Sequence, residues 1–149
     1  MASAVPEGFH TVTPYFLVND AAAFLEFLKR AFGATEQFRM PGPDGAIMHA
    51  QTQIGSSKLM LGSVPPGHNA MPMMMYLYVP DADADADAAY AKAVAGGGVS
   101  LHAPRDEFYG DRAGAVKDPF GNSWWIATHK EDLTHAQISA RAEAAFNKK

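Results

Sequence analysis

The sequence predicts an α+β fold built from two βαβββ modules that share a cleft, with one further helix at the C-terminus. Three observations point there. The strand-like and helix-like runs from Thr13 to Gly33 return between Met74 and Gly96, with Val18 matching Val79 at an offset of 61 residues. The helical stretch Asp20 to Gly33 has the same length as Asp83 to Gly96, and each is followed by three strand-like runs separated by turn signals. A period longer than that of solenoid repeats, present only twice, argues for two supersecondary units closing on one another around a cleft.

Taking the elements in order, Thr11 to Val18 is rich in β-branched and aromatic residues and reads as a strand, with Pro14 favouring an edge position. Asp20 then caps a helix. Phe24, Phe27, Leu28, Ala31 and Phe32 form one apolar stripe, Glu26, Lys29 and Arg30 take the other side, and Gly33 supplies a left-handed stop. Thr35 to Met40 and Ala46 to Ile54 are strands joined by the turn Pro41-Gly-Pro-Asp-Gly45, and Lys58 to Leu61 is a third. Module one spans about residues 10–63, a linker about 64–71 carries Pro65-Pro-Gly-His-Asn69, and module two runs from about 72 to 129.

Module two opens with the strand Met73 to Val79. The acidic run Asp81-Ala-Asp-Ala-Asp-Ala-Asp87 alternates with period two, yet aspartate suits the N-cap and first turn of a helix, so the run is expected to start the helix carrying Tyr90 and Val94. Alternate aspartates on a helix do not converge, so the run is expected to be a solvated face rather than a metal site. Val99 to His102, Gly110 to Lys117 and Asn122 to Thr128 follow as strands, with Asp118-Pro-Phe-Gly-Asn122 as the last turn. Thr134-His-Ala-Gln137 has the spacing of a capping box and starts a helix over about 134–147, whose stripe Ile138, Ala142, Ala145 and Phe146 is narrow.

Composition narrows the function. A net charge of −4 provides no basic face for nucleic acid, and the absence of cysteine removes disulfides, thiolate metal sites and a cysteine nucleophile. The longest strongly apolar stretch, Met73 to Val79, is far short of the roughly 18 residues of a spanning helix. With no signal-peptide pattern at the start, a cytoplasmic location is expected. Gly96-Gly-Gly98 ends a helix instead of opening one, so it presents no phosphate cradle, and no dinucleotide fingerprint or Ser-His-Asp order is present.

Val18-Asn-Asp20 before the first helix, Phe32-Gly-Ala34 after it and Asp118-Pro-Phe-Gly-Asn-Ser-Trp124 before the last strand resemble the vicinal oxygen chelate superfamily, which groups glyoxalases, bleomycin-resistance proteins and dioxygenases. Thr11-Val-Thr-Pro-Tyr15, Met40-Pro-Gly-Pro-Asp-Gly45, Met48-His-Ala-Gln51 and Phe108-Tyr-Gly-Asp-Arg112 look like its PhnB-like branch. The resemblance implies curled mixed sheets around a small-molecule cavity and a homodimer. It also implies that metal ligands, where the family has them, fall at Thr13, Met60, Met74 and Trp125. Hydroxyl, thioether and indole cannot hold a divalent ion that needs imidazole or carboxylate. A shift of one residue brings Pro14, Leu59 or Leu61, Met73 or Met75, and Trp124 or Ile126, which is no better.

No metal is therefore expected at the usual place, and no other cofactor. Thr13, Met60, Met74 and Trp125 are instead expected to line a ligand site, joined by Tyr76 and Tyr78 on the face of Met74. His49 shares a strand face with Gln51 and Gln53, either as an exposed edge face or as a polar wall where Gln51 orients a ligand and His49 moves a proton. Tyr109 is placed at the cavity mouth to cover or hydrogen-bond a ligand. Arg112 is either an anion clamp or paired with Asp111. The remaining histidines, His129 among them, lie at element ends and are expected to be solvated.

The expectation is a homodimeric small-molecule-binding protein holding an aromatic or amphipathic ligand. Two alternatives stay open. One is a lyase, isomerase or metal-dependent enzyme with His49 as general base and Tyr109 and Arg112 stabilising an oxyanion. The other is a protein whose C-terminal helix makes its principal contact.

Overall fold

A computed structural model describes residues 2–80 and 85–147. Each half folds as a four-stranded mixed sheet with one helix laid across it. Sheet A contains β1 (Tyr15–Val18), β2 (Thr35–Pro41), β3 (Ile47–Ile54) and β4 (Ser57–Ser63) in the order β1-β4-β3-β2. Sheet B repeats the plan with β5 (Met74–Tyr78), β6 (Val99–Asp106), β7 (Asp111–Lys117) and β8 (Ser123–His129) in the order β5-β8-β7-β6. In both, the first strand pairs in parallel with the last and the other pairings are antiparallel. The α+β fold of two βαβββ units is thus as expected, and neither sheet closes into a barrel.

Local chemistry sets the helix ends. In α1 (Ala21–Phe32) the Asp20 carboxylate accepts from the Ala23 amide at 3.0 Å, and Gly33 stops the helix at φ 66°, a left-handed conformation in which a Cβ is strained. In α2 (Ala86–Ala95) Asp85 is the cap, accepting from the Ala88 amide at 3.0 Å. The expected acidic helix start falls partly on residues 81–84, which lie outside the described residues. Thr134 and Gln137 form the reciprocal capping box of α3 (His135–Phe146).

Two strands differ most in extent from expectation. β1 begins at Tyr15 rather than Thr11, because Pro14 has no amide hydrogen to give; only its carbonyl joins the ladder, accepting from the Met60 amide at 2.9 Å. β6 runs on to Asp106 through irregular registers between Ser100 and His102 and between His102 and Arg105. Those bulges let a strand that contains Pro104 continue past its interruption.

The helices share one side of the two sheets, and a single core lies beneath them. Phe16, Val18, Phe24, Phe27, Leu61, Trp124 and Ile126 are all buried there, drawn from both halves. Trp124 of β8 stacks on Phe16 of β1 at 5.4 Å and touches Phe32 at 4.8 Å, while Phe24 meets Phe120 edge-on at 5.3 Å. α3 is attached lightly, through an Arg141–Glu131 ion pair at 2.8 Å and an edge contact of Phe146 with Phe108. None of its residues is buried.

Candidate functional site

Strand alternation divides each sheet into a buried face under the helices and an open face turned away from them. On sheet A the open face carries Tyr15, Met60 and Gln51 in register across three strands, with Phe38 beside Gln51 and Met40 beside His49 on β2. On sheet B it carries Met74, Tyr76 and Tyr78 of β5, with Trp125 opposite Tyr76 on β8 and Ala115 opposite Trp125 on β7. The Tyr76 and Trp125 rings lie nearly parallel, 9° apart, with centroids at 6.3 Å. Phe38, Met40, Met74 and Tyr78 are between 44% and 65% exposed.

A hydrogen-bonded cluster fixes each open face. On sheet A, Tyr15 Oη lies 3.0 Å from His49 Nδ1, and Gln51 Nε2 lies 3.4 Å from His49 Nε2. An amide nitrogen only donates, so His49 Nε2 accepts from Gln51, and in a neutral ring Nδ1–H then donates to Tyr15. Gly62, on β4 opposite His49, leaves the room this requires: a Cβ there would sit 2.9 Å from Tyr15 Oη and 2.5 Å from the Met48 carbonyl oxygen.

Sheet B is organised by Asp111. Its carboxylate is 3% exposed and accepts from the hydroxyls of Tyr76 at 2.8 Å and Tyr78 at 3.0 Å, while His129 Nδ1 reaches its other oxygen at 2.8 Å. Tyr109, from the turn between β6 and β7, meets the Tyr76 hydroxyl at 3.1 Å. His129 Nε2 in turn meets Asp132 at 2.9 Å. Both partners of the ring are carboxylate oxygens, which only accept, so both ring nitrogens donate, and these bonds, Asp111 first and then Asp132, raise the His129 pKa. Burial first, then the bonds to Tyr109 and Asp111, pushes the Tyr76 phenol well up, and burial followed by Asp111 does the same for Tyr78.

The residues singled out from the sequence divide accordingly. His49, Gln51 and Met60 come together on sheet A, and Met74, Tyr76, Tyr109 and Trp125 on sheet B. Thr13 precedes β1 and its hydroxyl donates to the His10 carbonyl at 3.2 Å; the open-face position of β1 is Tyr15, the counterpart of Tyr76 in the repeat. Arg112 does not pair with Asp111. Consecutive residues of β7 point to opposite faces, and Arg112 donates instead to Asp87 of α2 at 2.8 Å and to Asp106 at 3.3 Å. Both carboxylates occupy the guanidinium that a ligand anion would need. Sequence reasoning passed over Asp111 and His129, although the placement of Gly110 to Lys117 as a strand already put Asp111 on the face opposite Arg112.

At the positions nearest the implied places, the open faces offer phenol, thioether and indole from Tyr15, Met60, Tyr76 and Trp125. Among the described residues no three His, Asp or Glu side chains converge as a metal would require. A pocket of about 690 Å³ lies at the seam between the halves, lined by Phe32, Ile54, Leu59, Met75, Leu77 and Trp124 and bordered also by Tyr76 and Tyr78 of β5.

A doubled βαβββ unit with one shared core and two open aromatic faces defines a glyoxalase-type protein. Residues 8–126 match the Glyoxalase/Bleomycin resistance protein/Dioxygenase superfamily, and the chain belongs to it. An uncharacterised protein of Mycobacterium bovis is 31% identical over 136 residues, covering 87% of this chain and 90% of that relative. The crystal structure of TioX from Micromonospora sp. ML1 is similar at a TM-score of 0.67 with 21% identity, over 80% of this chain and 98% of TioX. A Bacillus cereus structure described as a putative 3-demethylubiquinone-9 3-methyltransferase, PhnB protein, is similar at 0.63 with 18% identity, over 80% and 99% of the two chains. No described helix is long and apolar enough to cross a membrane.

Proposed function

We propose that this chain is a small-molecule-binding member of its superfamily, of PhnB-like type, that holds an aromatic or amphipathic ligand against the open sheet faces without a divalent metal. The carrying observation is the coincidence, on each open face, of exposed aromatic and thioether side chains with a hydrogen-bonded polar cluster. Binding sites combine apolar walls with a few fixed polar groups in this way. The pocket at the seam borders the same Tyr76 and Tyr78, with Ser56, Ser57 and Lys92 as its other polar side chains.

A homodimer that covers the open faces completes the proposal. The chain exposes 9094 Å², against about 7400 Å² expected from size scaling for a compact monomer of 16.0 kDa. Burying part of that excess against a second copy would turn shallow faces into a cavity. A cytoplasmic location fits the composition and the absence of cysteine.

The test is titration of the untagged protein with uncharged planar aromatics such as 2-naphthol, followed by tryptophan fluorescence. Trp125→Ala and Met60→Ala should each weaken binding by about fivefold, as loss of a stacking or thioether wall implies. Affinity unchanged in both variants, or near-stoichiometric Zn, Ni, Mn or Fe in the purified protein, would refute the proposal. A second reading, a lyase or isomerase with His49 as general base, is favoured by the long 3.4 Å contact at His49 Nε2, which a substrate proton could replace. It requires turnover that His49→Ala abolishes without lowering the melting temperature.

A further inference from the structure

The tyrosine hydroxyls on the open face of sheet B are oriented in one sense. Asp111, as a carboxylate, can only accept. Tyr76 and Tyr78 each have a single hydroxyl hydrogen, and both are directed to Asp111 Oδ2. The 3.1 Å contact between Tyr109 and Tyr76 must therefore be donated by Tyr109. Every hydroxyl hydrogen in the cluster points toward the buried carboxylate, and the oxygens turn only lone pairs outward. The raised pKa values of Tyr76 and Tyr78 keep both phenols protonated in this arrangement.

Neighbouring cations do not reverse that sense: the His102 ring beside Trp125 keeps both nitrogens buried, with Nε2 3.7 Å from Glu107. The two N–H groups of His129 are taken by Asp111 and Asp132. Arg112 leans to the other face of β7, to Asp87 and Asp106. Aromatic rings add to the same preference: Tyr76 and Tyr78 lie 5.2 Å apart and Trp125 lies parallel to Tyr76, so a cationic ligand resting on them meets electron-rich π faces.

We infer that the open face of sheet B selects a ligand carrying a protonated amine on an apolar or aromatic body. The ammonium donates to the oxygens of Tyr109 and Tyr78 while the body lies on Tyr76 and Trp125. A carboxylate in the same place meets the phenol lone pairs and no hydroxyl donor. This specificity rests on the reading of the open faces as a ligand site, and adds to it the charge of the ligand.

Three probes with similar phenylalkyl bodies separate the two claims: 2-phenylethylammonium, 3-phenylpropan-1-ol and 3-phenylpropionate, titrated into the full chain at neutral pH and low salt with tryptophan fluorescence as readout. The ammonium should bind at least about tenfold more tightly than the carboxylate and about threefold more tightly than the alcohol. Asp111→Asn, whose amide can donate and so frees the outward sense of the tyrosines, should bring the three within about threefold of one another. Tyr109→Phe removes the outermost acceptor without touching the buried carboxylate and should lower the ammonium preference even if Asp111→Asn folds poorly. Equal binding of the three probes would overturn the charge selectivity and leave the open-face reading standing. Binding of none of them, with 2-naphthol also failing, would remove both. An ammonium preference that survives in Tyr109→Phe and in folded Asp111→Asn would place the cation elsewhere and overturn the inference.

Discussion

Replacing Asp118 by alanine should be among the most damaging single changes outside the apolar core. Its carboxylate, 4% exposed, closes the turn before β8 by accepting four hydrogen bonds. These come from the amides of Phe120 at 2.8 Å and Asn122 at 2.9 Å, the Asn122 side chain at 3.0 Å and the Trp124 indole at 2.9 Å. Asn122 is itself buried and accepts from the Met73 amide at 2.9 Å, which ties the turn to the start of β5. Bonds to a charged acceptor contribute about 1.5–3 kcal/mol each, but four that share one buried carboxylate also share its desolvation cost.

A net loss of about 3–5 kcal/mol follows, a large fraction of the roughly 5–15 kcal/mol that holds a domain folded. Asparagine keeps the shape and only half of the acceptors, so Asp118→Asn should fall between wild type and Asp118→Ala. Urea unfolding monitored by tryptophan fluorescence at one fixed protein concentration reads the change directly. With a slope of about 1–3 kcal/mol per molar urea, the midpoint for Asp118→Ala should drop by at least about 1 M. A loss below about 1 kcal/mol would show that water or a rearranged turn satisfies the four donors, and the reasoning would fail.

Two further outcomes can be checked. Gly62→Ala places a methyl against the Met48 carbonyl and Tyr15 Oη, and since the carbonyl is backbone within the sheet it should cost about 1–3 kcal/mol and break the Tyr15–His49 contact; an unchanged melting temperature with an unchanged His49 ring spectrum would contradict this. The His129 imidazole should titrate above its ordinary 6.5 because Asp111 and Asp132 hold the charged form. Its contribution to stability is then fully present below 6.5 and lost as pH rises through the higher folded value. An NMR midpoint at or below 6.5, or one that Asp111→Asn does not lower, would refute that assignment.

What could be read from the sequence was what is decided locally. The caps at Asp20 and Thr134, the left-handed Gly33 and the Asp118–Asn122 turn each depend on residues within one turn of one another, and each stands where the sequence put it. The repeat gave the βαβββ order because identical patterns fold alike. Strand ends were less legible: Pro14 shortens β1, and the bulges that carry β6 past Pro104 depend on pairing with β7.

The candidate site was legible in part: the family resemblance implies Met60, Met74 and Trp125, and alternation along strands adds Tyr76 and Tyr78 to Met74 and sets His49 and Gln51 on one face. The partners of Asp111 were not, because Tyr76 and Tyr78 reach it from β5 past β8 and His129 from directly opposite on β8, and only the register of β5, β8 and β7 brings them within bonding distance. Asp111 beside Arg112 looked like an ion pair in one dimension. In a pleated strand they are back to back.

Trp124 carries a consequence for how the molecule comes apart. Its indole N–H is held by the turn that closes the second half, while its ring rests on Phe16 in the opening strand of the first. Neither half owns a complete interior, so separating them would strip both of their largest aromatic contact at once. Heat or denaturant should therefore melt the duplicated halves as one cooperative unit, and either half expressed by itself would lack the partner that its interior is built around.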